Sequence, residues 1–136
     1  MHMAIDTEIV LRLILAVIAG GIVGFERKKV HKPAGLRTHM LVCMGAALFM
    51  IVAISAFPDE SGRIMAGIAT GIGFLGAGTI FRAEDRVKGL TTAASIWTVA
   101  AIGLTIGLGE YALGATATVL VIIILQLNKI KFLREV

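Results

Sequence analysis

A chain of 136 residues that is 57% hydrophobic and 16% charged, with a mean hydropathy of +0.92, carries more apolar surface than a soluble domain of that size can bury. The net charge of +4 is modest, and one cysteine, Cys43, excludes a disulfide framework. The composition predicts a single all-α integral membrane domain over residues 1–136, with the lipid bilayer as its first partner and no nucleic acid.

A helix needs roughly 20 apolar residues to cross the bilayer core. By that measure the first span is Ile9–Phe25, preceded by Asp6 and Glu8 rather than by the basic region of a secretory leader. Arg12 lies about one turn into it, near its outer end, where it snorkels, and Gly20 and Gly24 have small-xxx-small spacing. A basic loop follows, with Glu26, Arg27, Lys28, Lys29, Lys32 and Arg37. The second span, Thr38–Phe57, opens on Thr38 and His39, the latter read as a hydrogen-bonded helix residue.

Beyond Asp59, Glu60 and Arg63, the third span runs Ile64–Phe81 and holds Gly67, Gly71, Gly73, Gly76 and Gly78. Each glycine would weaken a solvated helix by about 1 kcal/mol, so they suit a buried backbone that another helix approaches closely. An unwound segment lining a site is the other reading. Gly71-x-Gly73-x-x-Gly76 imitates a dinucleotide fingerprint, but an apolar helix precedes it where a strand is required. A short charged loop, Arg82 to Lys88, leads to Gly89-Leu90-Thr91-Thr92 and a fourth span, Thr92–Gly109, with Gly103 and Gly107 four apart. Only Gly109, Glu110 and Tyr111 separate it from the fifth, Tyr111–Leu127, so a kinked or reentrant element is an alternative there. Trp97 and Tyr111 are candidate interface anchors.

Eleven of the 13 Lys and Arg fall in the first loop, the third loop and the tail after the fifth span, which includes Lys129, Lys131 and Arg134. The positive-inside rule then places the N-terminus outside and the C-terminus in the cytoplasm. Gly35-Leu36-Arg37-Thr38 and Gly89-Leu90-Thr91-Thr92 open the second and fourth spans 54 residues apart, which suggests a parallel repeat of two hairpins.

Glu26, Arg27, Arg37, His39 and Arg82 share one depth at the inner edge. Either they snorkel to the headgroups, or they form one polar cluster in which Glu26 pairs with Arg37 or Arg82. Thr38, Thr91 and Thr92 sit where hydroxyls cap free amides. The same two helix starts, flanked by Arg37, Arg82 and Lys88, also make an anion site at the cytoplasmic face. No Asp or Glu lies within any of the five spans, so no metal site and no magnesium pathway is expected. No nucleophile–base pair is spelled out, and neither an enzyme nor a cofactor is expected.

Phe25-Glu26-Arg27, Pro33-Ala34-Gly35-Leu36-Arg37-Thr38, Gly45-Ala46-Ala47-Leu48-Phe49, the run Gly71 to Ile80 and Lys88-Gly89-Leu90-Thr91-Thr92 through Trp97 resemble the transmembrane domain of the MgtC/SapB family, in order over nearly the whole chain. The resemblance implies about five spans with a cytoplasmic C-terminus, in a bacterial inner-membrane protein tied to magnesium limitation and, in pathogens, to survival inside macrophages. It further implies a regulator, reported to restrain the proton-driven ATP synthase, rather than a magnesium carrier. Better-known members add a soluble domain after the last span. Here only Asn128–Val136 follows, so no such domain is expected, in either a short member or a truncation. Two functions stay open: a non-enzymatic regulator acting through helix contacts, as a homodimer or on a membrane-protein partner, and a transporter or channel for an ion or small anion.

Overall fold

In the computed structural model, which describes residues 6–130, five helices form one bundle. Helix α1 (Thr7–Lys29) starts at Asp6, whose carboxylate accepts from the Ile9 amide at 2.9 Å, and runs four residues past the apolar stretch. Glu26 to Lys29 extend it because Glu, Arg and Lys are strong helix formers and cations suit a helix C-terminus. It closes with His31 at φ +54°, where the amides of His31 and Lys32 bond back to the Lys28 and Arg27 carbonyls at 3.1 and 3.0 Å. Helix α2 (Leu36–Ala56) returns, and a 3-10 turn at Pro58–Glu60 leads into α3 (Ser61–Ala77).

The third span ends four residues earlier than the sequence suggests. After Ala77 the chain tightens through Gly78 to Ile80, with Thr79 donating its amide and hydroxyl to the Gly76 carbonyl. The charged loop is an antiparallel hairpin of β1 (Phe81–Ala83) and β2 (Arg86–Lys88), in which Arg82 pairs with Val87. Gly89, at φ +90°, then turns the chain into α4 (Leu90–Gly107), and a Cβ there would collide with the Thr79 carbonyl. The junction of the fourth and fifth spans is a clean break. Gly109 at φ +90° ends α4, with the Gly109 and Glu110 amides on the Ile106 and Thr105 carbonyls, and α5 (Tyr111–Gln126) follows. By length and composition α1, α2, α4 and α5 with its 3-10 extension to Lys129 can cross a membrane. At 17 residues, α3 is about 25 Å long and falls short of a ~30 Å core.

Helix α4 is the hub, touching the other four helices, and the core mixes small side chains, Ala16, Ala19 and Val23 of α1, Cys43, Ala46 and Ala47 of α2, Val99 and Ala100 of α4, with the larger Met50, Ile96 and Ile102. Glycines set the close approaches. A Cβ on Gly24 would lie 2.7 Å from Leu36 Cα, and one on Gly20 would strike the His39 carbonyl. Gly103 presses on the Cys43 carbonyl, and a Cβ on Gly107 would come within 2.7 Å of the Ala47 carbonyl oxygen. Van der Waals contact of this kind is what holds helices together in lipid.

The expected close packing of the third span is found only at its end. A Cβ on Gly76 would lie 3.2 Å from the Ala93 carbonyl oxygen, and one on Gly78 would touch only its own turn. Gly67, Gly71 and Gly73 have no atom within 4 Å of a Cβ position, and Phe74 is 86% exposed. Helix α3 packs Ile64, Ile68 and Ile72 against the core, closes on α4 with its last turn, and leaves its glycine ridge outside.

Candidate functional site

The basic end gathers the C-terminus of α1, the starts of α2 and α4, the hairpin, and the C-terminus of α5. Lys131 and Arg134 of the expected basic tail lie outside the described residues. Glu26 and Arg27, 7% and 3% exposed, are the buried charges of this end. They pair with each other, Arg27 Nε donating to Glu26 Oε2 at 2.6 Å, and not with Arg37 or Arg82. Adjacent residues on a helix point about 100° apart, so spacing gives no hint of the pair; the side chains curl together because a buried charge needs its counter-charge. Arg37, Arg82 and Lys88 are exposed, and Arg82 instead reaches the Glu84 carbonyl at 3.4 Å.

The pair lines a cleft of about 690 Å³ shared with Lys32, Thr91, Asn128 and Lys129. Glu26 Oε1 is buried and has no hydrogen-bond partner among the described residues. Helices α2 and α4 begin at Gly35 and Gly89, and neither has a side-chain cap. Thr38, Thr91 and Thr92 therefore stand inside the first turns rather than capping them. Thr38 is half-buried beside Leu75 and Thr79, Thr92 is buried, and Thr91 faces the cleft.

His39 is fully buried between α2 and α4. Its Nδ1 donates to the Gly35 carbonyl at 2.8 Å, and its Nε2 is 3.0 Å from Ser95 Oγ, itself 2.8 Å from the Thr92 carbonyl oxygen. The Ser95 hydroxyl has one proton to place: with a neutral imidazole it donates to Nε2, and with an imidazolium it receives from Nε2 and donates to Thr92. The clasp joins the two helix starts. Among the described residues no three His, Cys, Asp or Glu side chains gather as a metal site.

A second polar group at the far end escapes sequence reading. Glu8 Oε1 accepts from Arg12 Nε at 3.0 Å and from the Tyr111 hydroxyl, and a terminal Arg12 nitrogen donates to the Gly107 carbonyl at 2.8 Å. The partners are 95 and 103 residues apart in the chain. An arginine inside an apolar run, needing a partner, is the one sequence signal that points there. Rather than snorkelling free, Arg12 takes the carbonyl left open where α4 ends.

Residues 13–131 match the MgtC family. The chain is 48% identical over 128 residues to "Putative magnesium transporter YhiD" of Escherichia coli (strain K12), covering 88% of this chain and 60% of that protein. It is 44% identical over 113 residues to "Protein MgtC" of Salmonella typhimurium (strain LT2), 83% of this chain and 49% of that one, and 41% identical over 143 residues to "Protein SrpB" of Synechococcus elongatus, 91% and 79%. The chain thus spans about half to three-fifths of the length of YhiD and MgtC. No solved structure matches it.

Proposed function

Since the chain belongs to the MgtC family, we propose that it is a non-enzymatic regulator in the bacterial inner membrane, serving adaptation to magnesium limitation and virulence by helix contacts with a membrane partner such as ATP synthase, or with a second copy of itself. Its N-terminus lies outside and its basic end in the cytoplasm, a reading supported by the Lys and Arg distribution. The observation that carries the reading is the open ridge of α3. Gly67 and Gly71 border a groove of about 520 Å³ with Gly45 and Phe49 of α2, and nothing fills the space over either glycine. A glycine ridge without a neighbour is destabilising in a lone helix and useful when another helix lies on it.

A photo-crosslinking residue at Phe74, in native membranes under low magnesium, is expected to capture a defined partner helix. Gly67→Leu/Gly71→Leu is expected to abolish that product without lowering the unfolding temperature in detergent. A product that survives the leucines overturns the assignment of this face.

The second reading, a transporter or channel, draws on the name of the YhiD relative and on the buried Glu26–Arg27 pair. The five spans offer magnesium no carboxylate, so the cargo would be a proton or small anion. Selective flux into proteoliposomes that is lost in Arg37→Ala would favour this reading over the regulator.

A further inference from the structure

The cleft at the basic end leaves a chemical mismatch open. Its wall holds one buried carboxylate with a spare oxygen, Glu26 Oε1, and its rim carries the ammonium groups of Lys32 and Lys129. Arg27 has its Nε on Glu26, and Thr91 adds a hydroxyl from the uncapped first turn of α4. An anion alone would satisfy the lysines and leave Glu26 without a donor; a bare cation would be repelled by them. A fitting ligand therefore brings an anion to the rim and an N–H or O–H donor to the wall. The remaining wall is the Asn128 amide and the apolar Val30, Ile124, Leu125 and Leu127, and it stands where the spans end, at headgroup depth.

We propose that this cleft binds the headgroup of a phospholipid in which a phosphodiester and a hydrogen-bond donor lie a few bonds apart, as in ethanolamine or glycerol headgroups. The phosphate meets Lys32, Lys129 and the first turn of α4. The Glu26 carboxylate turns toward the cleft and accepts from the ammonium or hydroxyl. An acyl chain follows Ile124 and Leu125 into the bilayer. A choline headgroup brings the same phosphate but a nitrogen without N–H, so it engages the rim and not Glu26. The cleft shares no lining residue with the α3 groove, and its test is independent of partner capture.

The test is titration of the delipidated chain in detergent with short-chain ethanolamine, glycerol and choline phospholipids, and separately with inorganic phosphate, followed by thermal unfolding and native mass spectrometry. Ethanolamine and glycerol lipids are expected to raise Tm more than choline lipid at equal concentration and to stay bound in the gas phase. Lys32→Ala/Lys129→Ala, at two exposed positions, is expected to raise the half-saturating lipid concentration about tenfold or more, the scale of one or two charge-assisted hydrogen bonds. Glu26→Gln is expected to erase the preference over choline; should that variant fail to fold, the lysine variant still decides. Equal stabilisation by choline lipid, or indifference to the lysine variant, overturns the proposal. Inorganic phosphate matching ethanolamine lipid overturns the lipid as its source.

Discussion

At the residue scale, the two buried charges of the basic end are held by each other. Removing Arg27 leaves the buried Glu26 carboxyl without its counter-charge, so Arg27→Met is expected to destabilise the protein by about 3–5 kcal/mol. The double variant Glu26→Gln/Arg27→Met removes both charges and is expected to lose markedly less. Thermal or denaturant unfolding in one detergent checks the order, and a double variant as weak as the single one would refute it. At the far end, Arg12 serves Glu8 and the Gly107 carbonyl together. Arg12→Ala is expected to lose about 1–3 kcal/mol, and Tyr111→Phe, which drops one exposed donor to Glu8, clearly less.

At the element scale, the glycines divide by what lies opposite them. Gly20, Gly24, Gly103 and Gly107 face backbone that cannot retreat without separating two helices. Alanine at any of these is expected to lower Tm, with Gly103 among the most sensitive because its Cβ would overlap the Cys43 carbonyl. Gly67→Ala and Gly71→Ala meet open space and are expected to hold or slightly raise the stability of the isolated chain, by up to about 1 kcal/mol of helix propensity each. Gly89→Ala suffers twice, from φ +90° and from the Thr79 carbonyl, and should loosen the hairpin against α4. His31 occupies a left-handed position that glycine prefers, so His31→Gly is expected to stabilise the end of α1 by some tenths of a kcal/mol, up to about 1. Melting curves of these variants in one detergent rank them.

At the scale of the whole molecule, two polar ties bracket an apolar middle. At the basic end His39 and Ser95 tie α2 to α4, beside the Glu26–Arg27 pair within α1; the far end joins α1, α4 and α5 around Arg12 and Glu8. Between them, packing mixes small and larger apolar side chains, and α3 stands to one side with one edge uncovered. If the basic end faces the cytoplasm, a cysteine placed at Asp85 in the hairpin of a Cys43→Ala chain is expected to resist a membrane-impermeant maleimide in intact cells and to react once the membrane is opened. Labelling in intact cells would reverse the orientation.

The sequence by itself determined the membrane class, the five helices and the collection of cations at one end, because apolar run length and Lys/Arg placement are additive along the chain. The family motifs were legible for the same reason. Only the tertiary structure decided which glycines are contacts and which are an open ridge, since Gly67 and Gly103 share the same spacing signal and differ only in what stands across from them. It also decided that Glu26 pairs with its neighbour Arg27, that a hairpin replaces the charged loop, and that Arg12 meets Tyr111 through Glu8. Those outcomes depend on side-chain rotamers, turn geometry and partners about a hundred residues away, none of which periodicity encodes.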